Sequence, residues 1–110
     1  MFAIPIDQLP TVVQEIMIIV PEFDPERPKD KCTNCESSKG YLDRNGASYV
    51  ECTKAEAPPH VQEQIDALNI MSAPTIVADG VVVAAGGVQL PILQQLAKAR
   101  KAAAAVPVGV

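Results

Sequence analysis

The run Ile16-Met17-Ile18-Ile19-Val20 is apolar at every position and is stopped by Pro21, which predicts a strand buried on both faces of a sheet. Ser48 to Thr53 alternates and is rich in β-formers, and predicts a second strand. Thr75 to Ala78 and Val81 to Ala84 flank Asp79-Gly80, a pair suited to the positive φ angles of a type I′ turn, and predict an antiparallel hairpin. Helices fill the intervals. Thr33 to Arg44 has no proline and meets a stop at Asn45-Gly46, so a helix begins at or just after Cys32. Pro58 and Pro59 open a second helix that ends near Asn69, with Val61, Ile65, Leu68 and Ile70 on its buried face. Leu90, Leu93, Leu96 and Ala97 form the stripe of a third helix, which runs through Lys98 to Ala105 before Pro107 and Gly109.

The resulting order is β-α-β-α-β-β-α, an α/β chain with a four-stranded mixed sheet flanked by three helices. The helix between the first two strands makes them parallel. The second strand is expected at one edge of the sheet and the fourth at the other. Residues 1–14 form an N-terminal extension without a clear period, in which Asp7 suits the cap of a short turn. Residues 21–31, with three prolines and seven charged side chains, read as an exposed loop. Residues 97–110 read as an alanine-rich helical tail.

Length and charge narrow the function classes. At 110 residues and 48% hydrophobic content the chain suits one domain with one core, here spanning 1–110. A net charge of −4 gives no general attraction to phosphate backbones or anionic lipid, so neither nucleic acid nor membrane is expected as a partner. The longest apolar runs are too short to cross a bilayer, and no basic leader with a cleavage site precedes them. Three cysteines, two of them in a single CxxC, fit redox or metal chemistry in a reducing compartment better than a secreted disulfide scaffold. The expected location is the cytoplasm, as a monomer.

The chemistry centres on Cys32-Thr33-Asn34-Cys35. A CxxC where a loop enters a helix sets its first sulfur at the helix N-terminus, where unpaired N–H groups and the helix dipole favour a thiolate. Lowering the pKa of a free thiol from about 8.5 by about 1.5 makes it roughly half ionised near pH 7. Cys32 is therefore the expected nucleophile and Cys35, one turn behind, the resolving thiol. Lys29, Lys31 and Lys39 either reinforce the thiolate or form a solvated face. A second element is Ala73-Pro74 directly before an apolar strand. Proline costs no ladder bond there, and its peptide is open to either isomer, trans being the commoner.

Together, Cys32-Thr33-Asn34-Cys35, Ala73-Pro74, the Val77-Ala78-Asp79-Gly80 hairpin and Gly86-Gly87 resemble the glutaredoxin family, most closely the NrdH-redoxins, over about Ile16 to Leu96. The resemblance implies a thioredoxin-like fold, a cis Pro74 and disulfide reductase activity with Cys32 and Cys35 in the roles just given. It also implies partner contacts by Lys29, Thr33, Asn34, Ala73, Pro74, Gly86 and Gly87. No bound cofactor is implied. The reducing equivalents would come from NADPH through a thioredoxin-reductase-type flavoenzyme, or from a low-molecular-weight thiol. The target would be a disulfide-containing protein, ribonucleotide reductase being the leading candidate. Three departures stand out: Val88-Gln89-Leu90 lacks the acidic residue that typical glutaredoxins use on the glutathione amino group, it also lacks the aromatic and arginine usual after the glycine in NrdH-redoxins, and the Pro21 to Arg27 stretch lengthens the connection between the first strand and the dithiol.

Two other classes compete. Cys32, Cys35, Cys52 and His60 make a possible zinc set, although the second pair is spaced loosely for a zinc ribbon. A redox-inactive adaptor would keep the fold for binding alone. Cys52 itself reads as a small, buried apolar residue in its strand, and His60 as an exposed helix-start residue.

Overall fold

In the computed structural model, which describes residues 2–21, 33–70 and 73–105, the chain forms five strands and three α-helices. Their order is β1 (Phe2–Ala3), β2 (Ile16–Val20), α1 (Thr33–Arg44), β3 (Val50–Thr53), α2 (Pro59–Ala67), β4 (Thr75–Ala78), β5 (Val81–Ala85) and α3 (Leu90–Ala105). Short 3-10 turns lie at Ile6–Gln8 and Lys54–Glu56. The strands make one mixed sheet in the order β1-β5-β4-β2-β3, with β2 and β3 parallel and the other pairings antiparallel. No helix among the described residues is long and apolar enough to cross a membrane.

The unbroken apolar run of β2 follows from its position, since side chains alternate between faces and both faces are covered. Ile16 and Ile18 enter a core with Leu42 of α1 and Ile92, Leu93 and Leu96 of α3. Met17 and Ile19 enter a second core with Val61 and Ile65 of α2. The layers are therefore α1 and α3 on one face and α2 on the other. In the β4–β5 hairpin the register shifts between Ile76 and Val77, pairing Ile76 with Ala84 but Val77 with Val82. The extra residue, Val83, joins Ala84 in the first core while Val82 faces the second, as a bulge requires.

Four expectations need correction. The sheet has five strands, not four, because the N-terminal extension supplies β1, pairing Phe2 with Ala85 and Ala3 with Ala84, before Ile4 N–H donates to the Val83 carbonyl. The fourth expected strand, β5, is consequently not an edge; β3 is, on the other side. Leu68 is exposed instead of buried, since α2 stops at Ala67 and Asn69 turns left-handed at φ 55°. The Ile70 N–H then reaches back to the Ile65 carbonyl, and Ile70 packs, partly buried, against the α2-side core. α1 closes in the same way: Ala47 N–H donates to the Leu42 carbonyl and Gly46 N–H to that of Asp43. The second strand is also shorter than expected, starting at Val50.

The hairpin turn has positive φ at Asp79 (49°) and Gly80 (82°), as a type I′ turn demands. A Cβ on Gly80 would stand 2.9 Å from Nε2 of the exposed His60, which can move aside, so it is the backbone angle that favours glycine here. Asp79 is also a clasp: its carboxylate accepts from the N–H groups of Gln14 (2.9 Å) and Glu15 (2.8 Å), tying the turn to the approach of β2. Beyond the reach of β1, Gln64 of α2 substitutes for a strand. Its amide donates to the Gly80 carbonyl (2.7 Å) and accepts from Val82 N–H (2.9 Å). Gln64→Ala is expected to cost about 1–3 kcal/mol, because two part-buried backbone groups lose their partners. Urea denaturation measures it, and a loss below about 0.5 kcal/mol would mean that water replaces the amide without cost.

Candidate functional site

The crossover from β2 to β3 fixes where the CxxC helix starts. A helix joining two parallel strands returns antiparallel to them, so α1 begins at the end of the sheet where β2 finishes. Because β4 runs against β2, pairing Ile19 with Thr75, the Ala73-Pro74 segment lies at that same end. β5 returns there too, with Ala85 opposite Thr75 and Gly86-Gly87 immediately beyond. The topology thus gathers the start of α1, Ala73-Pro74 and the glycine pair at one end of the sheet.

Thr33 and Asn34 are exposed in the first turn of α1, and Cys35 behind them is 2% exposed. Cys35 is disulfide-bonded, whereas Cys52 is a free cysteine. Ser38, one turn further on, is also buried. Cys32, Lys29 and Lys31, with most of the expected 21–31 loop, lie outside the described residues.

The Ala73–Pro74 peptide is cis and Pro74 is fully buried. Gly86 N–H donates to the Pro74 carbonyl at 3.0 Å, which joins the proline segment directly to the glycine pair. Both glycines are left-handed, at φ 83° and 69°, a sequence of angles that side-chain-bearing residues rarely hold. Gln89, just before α3, completes this corner. Its Nε2 lies 3.0 Å from the Gly86 carbonyl, 3.1 Å from that of Phe2 and 3.3 Å from that of Ala85. The sequence carries no signal for Gln64, and it marks Asp79 only as a turn residue and Gln89 only as a non-acidic one, because their partners lie on distant elements.

Lys39, read from the sequence as either a support of the thiolate or part of a solvated face, is engaged by two carboxylates. Its ammonium pairs with Glu51 of β3 and, at 3.1 Å, with Glu36. The hydrogen bond to Glu51, chiefly, raises its pKa above the ordinary lysine value. Its charge is spent in fastening α1 to the edge strand.

Cys52 is half-buried against the α2-side core. Burial pushes its thiol above the ordinary value, and the nearby charges of Glu56, Glu15 and Glu51 push it further. The neutral thiol is therefore the native form at physiological pH, and ionisation is delayed as pH rises. In oxidised protein, iodoacetamide is expected to label Cys52 slowly at neutral pH, with a midpoint above the free-cysteine range near about 8.5. Mass spectrometry across pH reads this, and a midpoint at or below that of a cysteine peptide would contradict it.

Among the described residues no group of three or more His, Cys, Asp and Glu side chains is arranged to hold a metal ion. His60 instead stands against Gly80 at the hairpin turn. No protein-family model, curated protein or solved structure matches this chain.

Proposed function

We propose that this chain is a thiol-disulfide oxidoreductase of thioredoxin-like fold, similar to the glutaredoxins and NrdH-redoxins, whose Cys32 and Cys35 reduce a disulfide on a partner protein. The observation that carries the reading is the disulfide-bonded, buried Cys35 in the first turn of a helix that starts at the same end of the sheet as Ala73-Pro74 and Gly86-Gly87. Setting β1 aside, the order β3-β2-β4-β5 is also the one expected for that fold.

In the reduced state the Cys32 thiolate attacks one sulfur of the partner disulfide. The partner S–S bond breaks, a mixed disulfide forms and the first partner sulfur leaves as a thiolate that takes a proton from solvent. Cys35 then loses its proton and attacks the Cys32 sulfur, releasing the second partner sulfur. Two electrons have passed to the partner, and the chain holds a Cys32–Cys35 disulfide. Two electrons from NADPH, delivered by a thioredoxin-reductase-type flavoenzyme, reset the dithiol.

The corner at Gln89 favours that donor over glutathione. An amide committed to three main-chain carbonyls offers no negative charge to an ammonium group, and a small ligand can spare few contacts. Ribonucleotide reductase is the leading candidate target. Cys35→Ser is the direct test: without the resolving thiol the partner should remain attached to Cys32 as a mixed disulfide, recoverable under non-reducing conditions and released by dithiothreitol. Absence of any dithiothreitol-sensitive adduct would refute the reading. A coupled NADPH assay decides the donor, and turnover with glutathione and its reductase alone would overturn that assignment.

A further inference from the structure

We propose that the groove between α1 and α3 is a docking site for an acidic segment of a partner protein, in which one large apolar side chain is flanked by carboxylates. The inference is independent of the thiol chemistry.

α1 separates two grooves of opposite character. On its β3 side, Lys39 is neutralised by Glu36 and Glu51, and Asp43 accepts the Tyr49 hydroxyl at 3.2 Å. Every charge there has a partner or an opposite neighbour. On its α3 side, a groove of about 470 Å³ is lined by the apolar Ile6 and Pro91 and the polar Tyr41, Gln94 and Gln95 and flanked by Lys98 and Lys101, with no carboxylate in its walls. Neither lysine has an ion-pair partner among the described residues.

This segregation runs against the composition of the chain. Acidic residues outnumber basic ones by 13 to 9, yet Leu90 to Ala105 carries Lys98, Arg100 and Lys101 and not one Asp or Glu. Unpaired lysines beside a partly apolar groove attract carboxylates and repel basic segments, so they select a partner by charge. Ile6, 48% exposed, and the exposed Pro91 give the groove its accessible apolar surface. The volume holds one aromatic or leucine side chain with room to spare.

A lipid surface fits less well. A groove between two helices presents its apolar groups in a recess, whereas a membrane is met by groups that project from one convex face.

The probe is a fluorescein-labelled peptide with a single phenylalanine between runs of glutamate, followed by anisotropy with the oxidised full-length protein. The control peptide has lysine for every glutamate. Binding of the acidic peptide alone is expected, weakening steeply as salt rises from about 50 to 500 mM. The double variant Lys98→Glu, Lys101→Glu should bind it about tenfold or more weakly, with unchanged circular dichroism. Amide shifts on titration should centre on Tyr41, Gln94 and Gln95. Equal binding of both peptides, undiminished binding by the double variant, or shifts centred elsewhere would overturn the proposal. So would co-sedimentation with phosphatidylserine vesicles in the absence of peptide binding, which would make the surface a lipid site. Reduction of a small aromatic disulfide by the double variant should match wild type, and its loss would overturn the separation of this groove from the thiol site.

Discussion

Cys32→Ser is expected to bring reduction of a protein disulfide down to the uncatalysed rate, while Cys52→Ser leaves it within about twofold of wild type. Serine cannot form the mixed disulfide, and its hydroxyl is far too weak an acid to supply an anion in its place. Cys52 stands on β3 with a raised pKa, so its thiol is a poor nucleophile at neutral pH. Insulin turbidity with dithiothreitol as reductant reads both variants. Retained turnover by Cys32→Ser would remove the nucleophile from the mechanism, and a collapse in Cys52→Ser with intact folding would move it to the edge strand.

The second large effect is on stability. Leu96→Ala should cost about 2–5 kcal/mol, since Leu96 is fully buried where α3 meets Ile16 and Ile18 of β2 and Leu42 of α1. Domains of this size are held by only about 5–15 kcal/mol, so a fall in the melting temperature on the order of 10–20 °C should follow. Leu68→Ala, by contrast, removes an exposed side chain and should change stability by no more than about 0.5 kcal/mol. If the two variants melted together, the α3 face would not be the principal core.

Elements whose signals are local were legible in the sequence. The apolar run of β2 has one explanation, burial on two faces, and α1 spans Thr33–Arg44 and meets the left-handed stop at Gly46. The hairpin was legible because Asp79-Gly80 specifies its own backbone angles. β1 was not, because Phe2 and Ala3 carry no pattern and become a strand only against Ala84 and Ala85 at the far end of the chain. Leu68 failed for a related reason: helical spacing extrapolates a face past the point where Asn69 ends the helix. In the site, Cys35, Ala73-Pro74 and the glycine pair announced themselves by residue type. The bond from Gly86 to Pro74 and the Gln89 amide that hold this corner depend on three-dimensional neighbours that no local pattern encodes.

The two edges of the sheet are fastened by different physics, and that sets how the molecule breathes. On the β1–β5 side the fastenings are neutral: the β1 pairing and the amides of Gln64 and Gln89, none of which responds to ionic strength. At the β3 edge an ion pair between Lys39 and Glu51 bridges strand and helix. Lys39 has a raised pKa, so this contribution is complete below the unfolded lysine value of 10.5 and lapses as alkali carries pH through the higher folded value. Salt screens it at any pH. Amide protons of β3 should therefore exchange with deuterium earlier as salt rises, while those of β4 and β5 keep their protection, so that the sheet opens from one side only.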